Sequence, residues 1–136
     1  MIEARLEFVI RPYDVDVSGI VGNIVYVRWL EDLRMELLRN YFPPRDLLER
    51  NLLPVIVRTE INYRASLRFS DKCLGQMRVT ELGRTSATME ATFQNGEGLV
   101  IAEAKQVGVF VDAATGKPVV MPDQLRKFFE GDAASR

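Results

Sequence analysis

The chain has 136 residues, a net charge of −1 and 47% hydrophobic residues, a composition typical of one globular domain. No basic excess indicates a nucleic acid or a membrane surface as partner. The single cysteine, Cys73, excludes an intrachain disulfide, and without a neighbouring base it is expected to be an inert thiol. The sequence has no histidine, which excludes Ser-His-Asp triads, Cys-His dyads and the usual zinc and iron sites. Acid–base chemistry must therefore come from other side chains, with the carboxylates foremost.

The first ten residues, MIEARLEFVI, alternate polar and apolar side chains and include acidic ones. This alternation predicts a half-buried strand over residues 2–10 and is unlike a signal or transit peptide. The apolar runs of the chain are far shorter than the roughly 18 residues that span a bilayer. We therefore expect a cytoplasmic protein without membrane insertion.

The period of the apolar residues changes after the first strand. A loop runs from Pro12 to about Asn23, and apolar residues then recur at three- and four-residue steps from Ile24 to Phe42. This spacing predicts a long amphipathic helix, which ends at Pro43 because proline cannot continue it. Asn23 is a candidate N-cap, since its side chain can accept a hydrogen bond from a free backbone N–H.

The second half of the chain reads mostly as strands. After a short helix over 45–51, strands are predicted over 55–64, 74–82, 84–94 and 98–111, with two-residue alternation evident in the first and third of them. Asn95-Gly96 is expected to form a tight hairpin turn, because both residues tolerate positive φ. The segment PDQLRKFF predicts a terminal helix, and residues 131–136 are expected to be a frayed tail after a single domain of residues 1–130.

The order of these elements predicts the fold class. One strand and one long helix are followed by four strands with short connections, which favours an antiparallel sheet. The helix must bury its apolar stripe against that sheet. We therefore predict an α+β fold in which a curved antiparallel sheet wraps around one long central helix.

The loop and the start of the helix read DVDVSGIVGNIVYVRWLE over residues 14–31. This stretch resembles the signature of the hot-dog thioesterases, and most closely the group with 4-hydroxybenzoyl-CoA thioesterase and the acyl-CoA thioesterases of the Tol–Pal system. The matching positions are Asp14, Asp16, Gly19, Val21, Asn23, Tyr26 and Glu31. The resemblance extends over the whole chain in element order and includes the ending VDAATGKPVVMPDQLRKFF.

The resemblance implies a hot-dog fold and hydrolysis of an acyl-CoA or acyl-carrier-protein thioester. It implies no metal and no cofactor, coenzyme A being part of the substrate. In the family the second aspartate of the motif is catalytic, so Asp16 is expected to be the nucleophile or the general base. The backbone N–H groups of Val21 and Gly22 are expected to hold the oxyanion, because a helix N-terminus offers unpaired donors and a partial positive charge.

Six further residues are expected to contribute to substrate binding: Gly19, Asn23, Tyr26, Thr59, Arg64 and Arg68. Gly19 would let a ligand approach the backbone closely. Arg64 and Arg68 are four residues apart at a strand end and are expected to share one face. Together with Lys105 they would meet the phosphates of coenzyme A, which suit the fork-shaped guanidinium.

Most of these residues have a simpler interpretation as well. Asn23 suits a helix cap, Tyr26 lies on the apolar stripe and suits core packing, and Thr59 has high strand propensity. Asp14 is interpreted as a loop-ordering group. For Asp16 the alternative is a loop carboxylate that accepts hydrogen bonds from nearby backbone amides.

Two other functions stay open at this point. A hot-dog dehydratase or hydratase generally needs a histidine, and the chain has none. A non-catalytic module that binds an acyl thioester, or an assembly protein, has the same fold. Retention of Asp16 with Gly19 argues against it, because a carboxylate in an apolar acyl site lowers stability unless it has a function there.

The resemblance also implies that copies of the chain pair into a homodimer or homotetramer, with the pocket at the dimer interface. The long helix is apolar on more than one side, which agrees with a buried partner face. The apolar residues outside its main stripe are Val25, Val27, Trp29 and Met35.

Overall fold

The computed structural model describes residues 1–134 and the side chains of residues 1–131. The strands in this range are β1 (Glu3–Phe8), β2 (Leu52–Tyr63), β3 (Cys73–Leu82), β4 (Ser86–Asn95) and β5 (Val100–Asp112). The helices are α1 (Asn23–Tyr41), α2 (Pro44–Glu49) and α3 (Asp123–Ala134), with a short 3-10 turn over Pro12–Asp14. The elements follow the predicted order.

The strands form a five-stranded sheet in the order β1-β3-β4-β5-β2. All four pairings are antiparallel. Because β1 and β2 stand first and last in the order, they lie at the two edges. The long helix α1 packs across one face. On the face away from α1, Lys105 lies opposite Glu60 of β2 and Glu90 of β4 in the sheet register. The predicted α+β class, with an antiparallel sheet and a central helix, is confirmed.

Helix α1 is held on the sheet by residues spaced three or four apart, as the sequence predicts. Its buried residues are Val25, Tyr26, Trp29, Leu30, Leu33 and Leu37. Phe8 of β1 stacks on Trp29 with ring centroids 4.8 Å apart, which fixes the first half of the helix against that edge of the sheet.

Gly75 on β3 lies against side chains of β1 and α1 that leave no room for a side chain of its own. A Cβ atom added at Gly75 would lie 2.5 Å from Phe8 Cε2 and 3.3 Å from Leu33 Cδ1. Gly75→Ala is therefore expected to lower the free energy of unfolding by about 1–3 kcal/mol through overpacking. The midpoint of urea unfolding measures this change.

Gly131→Ala in helix α3 is the control for Gly75→Ala, because a Cβ atom there would meet nothing within 4 Å. Alanine has the higher helix propensity, so this variant is expected to be neutral or more stable by about 0.5–1 kcal/mol. Equal unfolding midpoints for Gly75→Ala and the wild type would contradict the close packing described at Gly75.

The structure corrects the prediction for the helix start. Gly22 is the N-cap of α1, no side chain caps the helix, and Asn23 is its first residue. The predicted capping role of Asn23 is therefore wrong. The reason lies in the loop, where an antiparallel bridge between Val15 and Val21 brings the extended chain up to Gly22.

Two further predictions differ from the structure. Between β4 and β5 the positive φ falls on Gly98, because the Asn95 side chain accepts from the backbone N–H groups of Glu97 and Leu99 and builds a wider turn. At the chain end, helix α3 continues to Ala134, whereas the sequence predicts a frayed tail from Gly131. Residues 135–136 of that predicted tail lie outside the described residues.

Candidate active site

The loop before α1 folds back on itself and brings Asp16 beside the helix start. The Asp16 N–H donates to the Ile20 carbonyl at 2.9 Å, and the Gly19 N–H donates to the Asp16 carbonyl at 3.0 Å. Gly19 has φ of +80°, a conformation that favours glycine. The bridge between Val15 and Val21 closes the turn. The predicted carboxylate and the helix N-terminus therefore share one end of the molecule.

The side chain of Asp16 is exposed. Its Oδ1 atom accepts a hydrogen bond from the Ser18 N–H at 2.8 Å, the backbone contact that the alternative interpretation predicts. Within residues 1–134 no group donates to Oδ2 of Asp16, so this oxygen can meet a substrate carbon or a water molecule. The backbone contact fixes the direction of the carboxylate and leaves it available for chemistry.

Asp14 behaves differently from Asp16. Its carboxylate is buried and its Oδ2 atom accepts from the Arg11 N–H at 2.8 Å. These contacts agree with the loop-ordering role predicted for Asp14, since they tie the carboxylate to the chain just before it.

The two N–H groups predicted to hold the oxyanion are already hydrogen-bonded. The Val21 N–H donates to the Leu67 carbonyl at 2.8 Å, and the Gly22 N–H donates to the Asp14 carbonyl at 3.0 Å. A donor that is bonded to a backbone carbonyl is not available to a substrate oxygen. As oxyanion donors, Val21 and Gly22 therefore do not fit this structure, and the prediction is corrected at both positions.

The unpaired donors lie one and two residues further along. Among the described residues no carbonyl or side chain accepts from the backbone N–H of Asn23 or Ile24, as expected for the first turn of a helix. Both residues are exposed. The hydroxyl of Tyr63 donates to the Asn23 carbonyl at 2.9 Å, which ties the end of β2 to the helix start. Asn23 thus stays in the candidate site through its N–H rather than as a cap.

Tyr26 packs in the core just behind this first turn. It is 2% exposed, and its ring makes edge contacts with Trp29, Tyr63 and Phe93 at centroid distances of 5.4, 5.5 and 5.5 Å. Burial, as the main cause, raises the pKa of Tyr26 above its ordinary value. The structure therefore supports the packing interpretation of Tyr26, whose predicted contact with substrate stays a prediction.

The two arginines predicted to bind phosphate do not share a strand face. Strand β2 ends at Tyr63, so Arg64 and Arg68 lie in the loop that follows. Arg64 forms a salt bridge with Glu103, 2.7 Å between Nη2 and Oε2, whereas the backbone of Arg68 forms a bridge with Ile20. Arg68 is thus the one of the pair that the fold brings to the Asp16 loop.

The predicted site residue Thr59 belongs to a series of side-chain hydrogen bonds that includes two residues not predicted from the sequence, Gln106 and Arg34. Its Oγ1 atom accepts from Gln106 Nε2 at 3.0 Å, and Gln106 Oε1 accepts from Arg34 Nη1 at 2.7 Å. Gln106 is 2% exposed and lies on the sheet face that packs against α1. The sequence does carry one signal for this network. Gln106 is a polar residue on the strand face that also carries the small residues Ala104 and Gly108 and is turned to the core.

Cys73 is fully buried, and burial raises the pKa of its thiol from 9.0 to about 12. We expect no reaction with a thiol reagent near pH 8 until the protein is unfolded, because the thiolate is the reactive form. The free energy of unfolding should fall as the pH rises from 9 towards 12, since the unfolded thiol loses its proton first. Cys73→Ala should reduce this slope. Rapid labelling of the native protein would contradict the burial.

The groups at this end of the molecule that suit acyl-transfer chemistry are the Asp16 carboxylate and the backbone N–H groups of Asn23 and Ile24. Residues 1–134 contain no cluster of three or more side chains that could hold a metal ion, and no helix there is both long and apolar enough to cross a bilayer. A carboxylate beside unpaired N–H groups can attack a carbonyl carbon, or activate water to do so, while the donors stabilise the oxyanion.

Comparison with known proteins finds relatives that match most of the chain. A family model for the thioesterase-like superfamily matches residues 10–129. The acyl-CoA thioester hydrolase YbgC of Escherichia coli O6:H1 is 28% identical over 113 residues, which are 82% of this chain and 84% of that protein. The long-chain acyl-CoA thioesterase FadM of Escherichia coli K12 is 29% identical over 122 residues, 89% of this chain and 92% of that protein.

Solved structures show the same fold. The DHNA-CoA thioesterase from Staphylococcus aureus superposes with a TM-score of 0.87 at 18% sequence identity, covering 99% of this chain and 94% of that one. At this identity the likeness concerns the fold, in which an antiparallel sheet packs on one long helix.

Proposed function

Because the chain belongs to the thioesterase-like superfamily, we propose that it hydrolyses an acyl-CoA thioester at the site formed by Asp16, Asn23 and Ile24. Membership confirms the predicted family, the hot-dog fold and the class of enzyme, a thioesterase. The observation that supports the proposed site is the turn before α1, in which the Asp16 N–H bonds the Ile20 carbonyl and Val15 pairs with Val21, so that residue 16 lies close along the fold to a helix start with two unpaired N–H groups. The substrate is proposed from the names of the relatives, which act on acyl-CoA.

The proposed reaction uses these three groups together. The thioester oxygen accepts from the N–H groups of Asn23 and Ile24, whose alignment with the helix dipole stabilises negative charge on that oxygen. As nucleophile, Asp16 attacks the thioester carbon and displaces the thiolate, which takes a proton from water; water then hydrolyses the resulting anhydride. As general base, Asp16 instead takes a proton from the attacking water and passes it to the departing thiolate. Both routes yield a free acid and a thiol.

Thiol release from a panel of short-chain, long-chain and aromatic acyl-CoAs tests this function. Turnover of at least one member is expected, and matched acyl-carrier-protein thioesters show which carrier is preferred. Binding of acyl-CoA without turnover of any substrate would instead support the non-catalytic module. A carrier-protein substrate, further contacts to substrate from Gly19, Thr59 and the two loop arginines, and a cytoplasmic location stay predictions.

We also propose that two copies of the chain pair through strand β2. This edge strand carries exposed apolar residues, and so does the flank of α1 beside it. The exposed residues are Leu53, Val55, Val57 and Tyr63 on β2 and Ile24, Val27 and Met35 on α1. Pairing of two β2 strands would extend the sheet across a homodimer; a homotetramer would need a second interface.

Val57→Lys tests the pairing of β2. Val57 is 60% exposed and lies where the register of β2 against β5 shifts. A lysine on an edge strand opposes pairing with another edge, so light scattering should show a shift from dimer to monomer. Leu74→Lys is the control, because β3 has a partner strand on both sides. A monomeric wild type, or a Val57→Lys variant that keeps the wild-type mass, would contradict the proposal.

A further inference from the structure

A cavity of 260 Å³ lies between the flank of α1, the middle of the sheet and helix α3. It is larger than a cavity of about 150 Å³ that binds benzene in a protein core, so a short alkyl chain or a ring fits. Most of its walls are apolar, formed by residues such as Leu38, Ala87, Met89, Gly108 and Leu125. Asp16, Asn23 and Ile24 are not among the lining residues.

Small residues form the floor of this cavity. Ala87 on β4 and Gly108 on β5 face each other in the sheet register. A Cβ atom added at Gly108 would lie 3.3 Å from both Ile56 Cδ1 and Met89 Cε. Both positions line the cavity, and at Gly108 the side chains of Ile56 and Met89 leave no room for a larger residue. At the opening lie Met35 of α1 and Val55 of β2, which belong to the face proposed above to pair with a second copy, so the opening lies at the edge of that face.

The charged side chains in the lining are Glu31 and Arg34 of α1. Gln106 holds the Arg34 guanidinium through Nη1 at 2.7 Å, and Thr59 holds Gln106. A guanidinium has five N–H donors, so most of those on Arg34 stay free for a ligand. The direction of the guanidinium is set before any ligand arrives.

The charge of Arg34 is only partly compensated. None of the salt bridges among the described residues includes it. Burial lowers the pKa of Arg34, and this effect exceeds that of the nearby Glu31, which raises it. A half-buried cation without a paired carboxylate gains stability when an anion binds to it.

We propose that this cavity binds a carboxylic acid with a short apolar tail, the carboxylate on Arg34 and the tail over Ala87 and Gly108. The site goes beyond the proposed thioesterase activity and holds whether or not the chain hydrolyses a thioester. The acid released by thioester hydrolysis belongs to the same chemical class. Binding of that acid here would link product concentration to helix α1, whose other end carries the N–H donors of Asn23 and Ile24.

Isothermal titration with octanoate, below its micellar concentration, tests the site, and octanol serves as the ligand without a carboxylate. Arg34→Met should weaken octanoate binding about tenfold or more, the loss expected for a hydrogen-bonded charge. Ala87→Leu fills the tail space and should abolish binding while Arg34 stays in place. Glu31→Gln should tighten octanoate binding about two- to fivefold, because it removes a like charge near the carboxylate. Circular dichroism and thermal unfolding verify that each variant is folded.

The predicted pattern is octanoate binding to the wild type, loss in Arg34→Met and in Ala87→Leu, and a gain in Glu31→Gln. Absence of octanoate binding to the wild type would overturn the proposal. So would equal binding of octanol and octanoate, or wild-type affinity in folded Ala87→Leu. Because the experiment measures the heat of octanoate binding, failure of this proposal is distinguishable from absence of thioesterase activity.

Discussion

Asp16→Asn is expected to lower kcat for thioester hydrolysis by about a thousandfold or more, the scale of losses when a catalytic nucleophile or base is removed. The asparagine side chain retains an oxygen that can accept from the Ser18 N–H, as Asp16 Oδ1 does at 2.8 Å. The loop should therefore keep its shape while the carboxylate is lost. Initial rates of thiol release at saturating substrate measure the effect.

Asp112→Asn is the matched control for this change. Asp112 Oδ1 accepts from the backbone N–H groups of Ala114 and Thr115 at 2.8 and 3.0 Å, a turn of the same kind as that of Asp16. Asp112 ends β5 opposite Leu52, at the end of the sheet away from the Asp16 loop. This variant should retain wild-type kcat. Activity that survives in Asp16→Asn would leave the family intact and remove Asp16 from the chemistry.

The role of Asp16 as nucleophile or base is open to a separate experiment. A single turnover in water labelled with heavy oxygen should leave the label on Asp16 if its carboxylate attacks the thioester carbon, since an anhydride can be hydrolysed at the aspartyl carbonyl. If Asp16 only activates water, the label should appear in the product acid alone. Mass spectrometry of the peptide that contains Asp16 detects this label, and its presence assigns Asp16 as the nucleophile. Label in the product acid alone also fits an anhydride that is hydrolysed at the substrate carbonyl.

Asn23→Pro is expected to lower kcat by about a hundred- to a thousandfold, the loss typical of one missing oxyanion donor. Proline removes the N–H of Asn23 and is well tolerated at the first position of a helix. The preceding residue, Gly22, has φ of −69° and ψ of 149°, a conformation that a following proline permits. The helix should therefore form while the donor is absent.

Asn23→Ala separates the backbone from the side chain. It keeps the N–H and removes the amide group, so kcat should stay within a few-fold of the wild type if only the N–H contacts the substrate oxygen. Equal, large losses in both variants would assign the role to the Asn23 side chain. Full activity in a folded Asn23→Pro variant would exclude its N–H as an oxyanion donor.

The architecture follows from patterns that are local in sequence. The steps of three and four residues that place Leu30, Leu33 and Leu37 on one face predict α1, and these residues are buried. Two-residue alternation likewise predicts strands that have one face on the core, such as β1 and β4. In β2 the register shifts between Ile56 and Arg58, so Val55 and Val57 are exposed although the alternation places them on one face with Ile61. Boundaries differ by a few residues where a side chain sets the turn, as Asn95 does.

The site was less predictable because its donors depend on distant partners. Asp16 and Gly19 lie within one short motif, and the structure places them in one turn. Whether the N–H of Val21 is free depends on the carbonyl of Leu67, in a loop that the motif does not include. The motif therefore places the helix start to within one residue without indicating which of its N–H groups are unpaired.

The hydrogen bonds that join Arg34, Gln106 and Thr59 were even less predictable from the sequence. Arg34 and Gln106 are 72 residues apart, and each suits its own element without the other. A helical arginine is ordinarily solvated, and only the packing of α1 on β5 turns it into a half-buried cation beside a cavity. No local pattern contains that information.

The most direct measurement for the proposed site is a crystal structure with an acyl-CoA analogue in which a methylene group replaces the thioester sulfur. Such a ketone keeps the carbonyl but cannot be hydrolysed. We predict its oxygen within hydrogen-bonding distance of the N–H groups of Asn23 and Ile24, with the Asp16 carboxylate, or a water molecule bound to it, facing the carbonyl carbon. A carbonyl bound away from the first turn of α1, or an Asp16 carboxylate turned away from that carbon, would contradict the account.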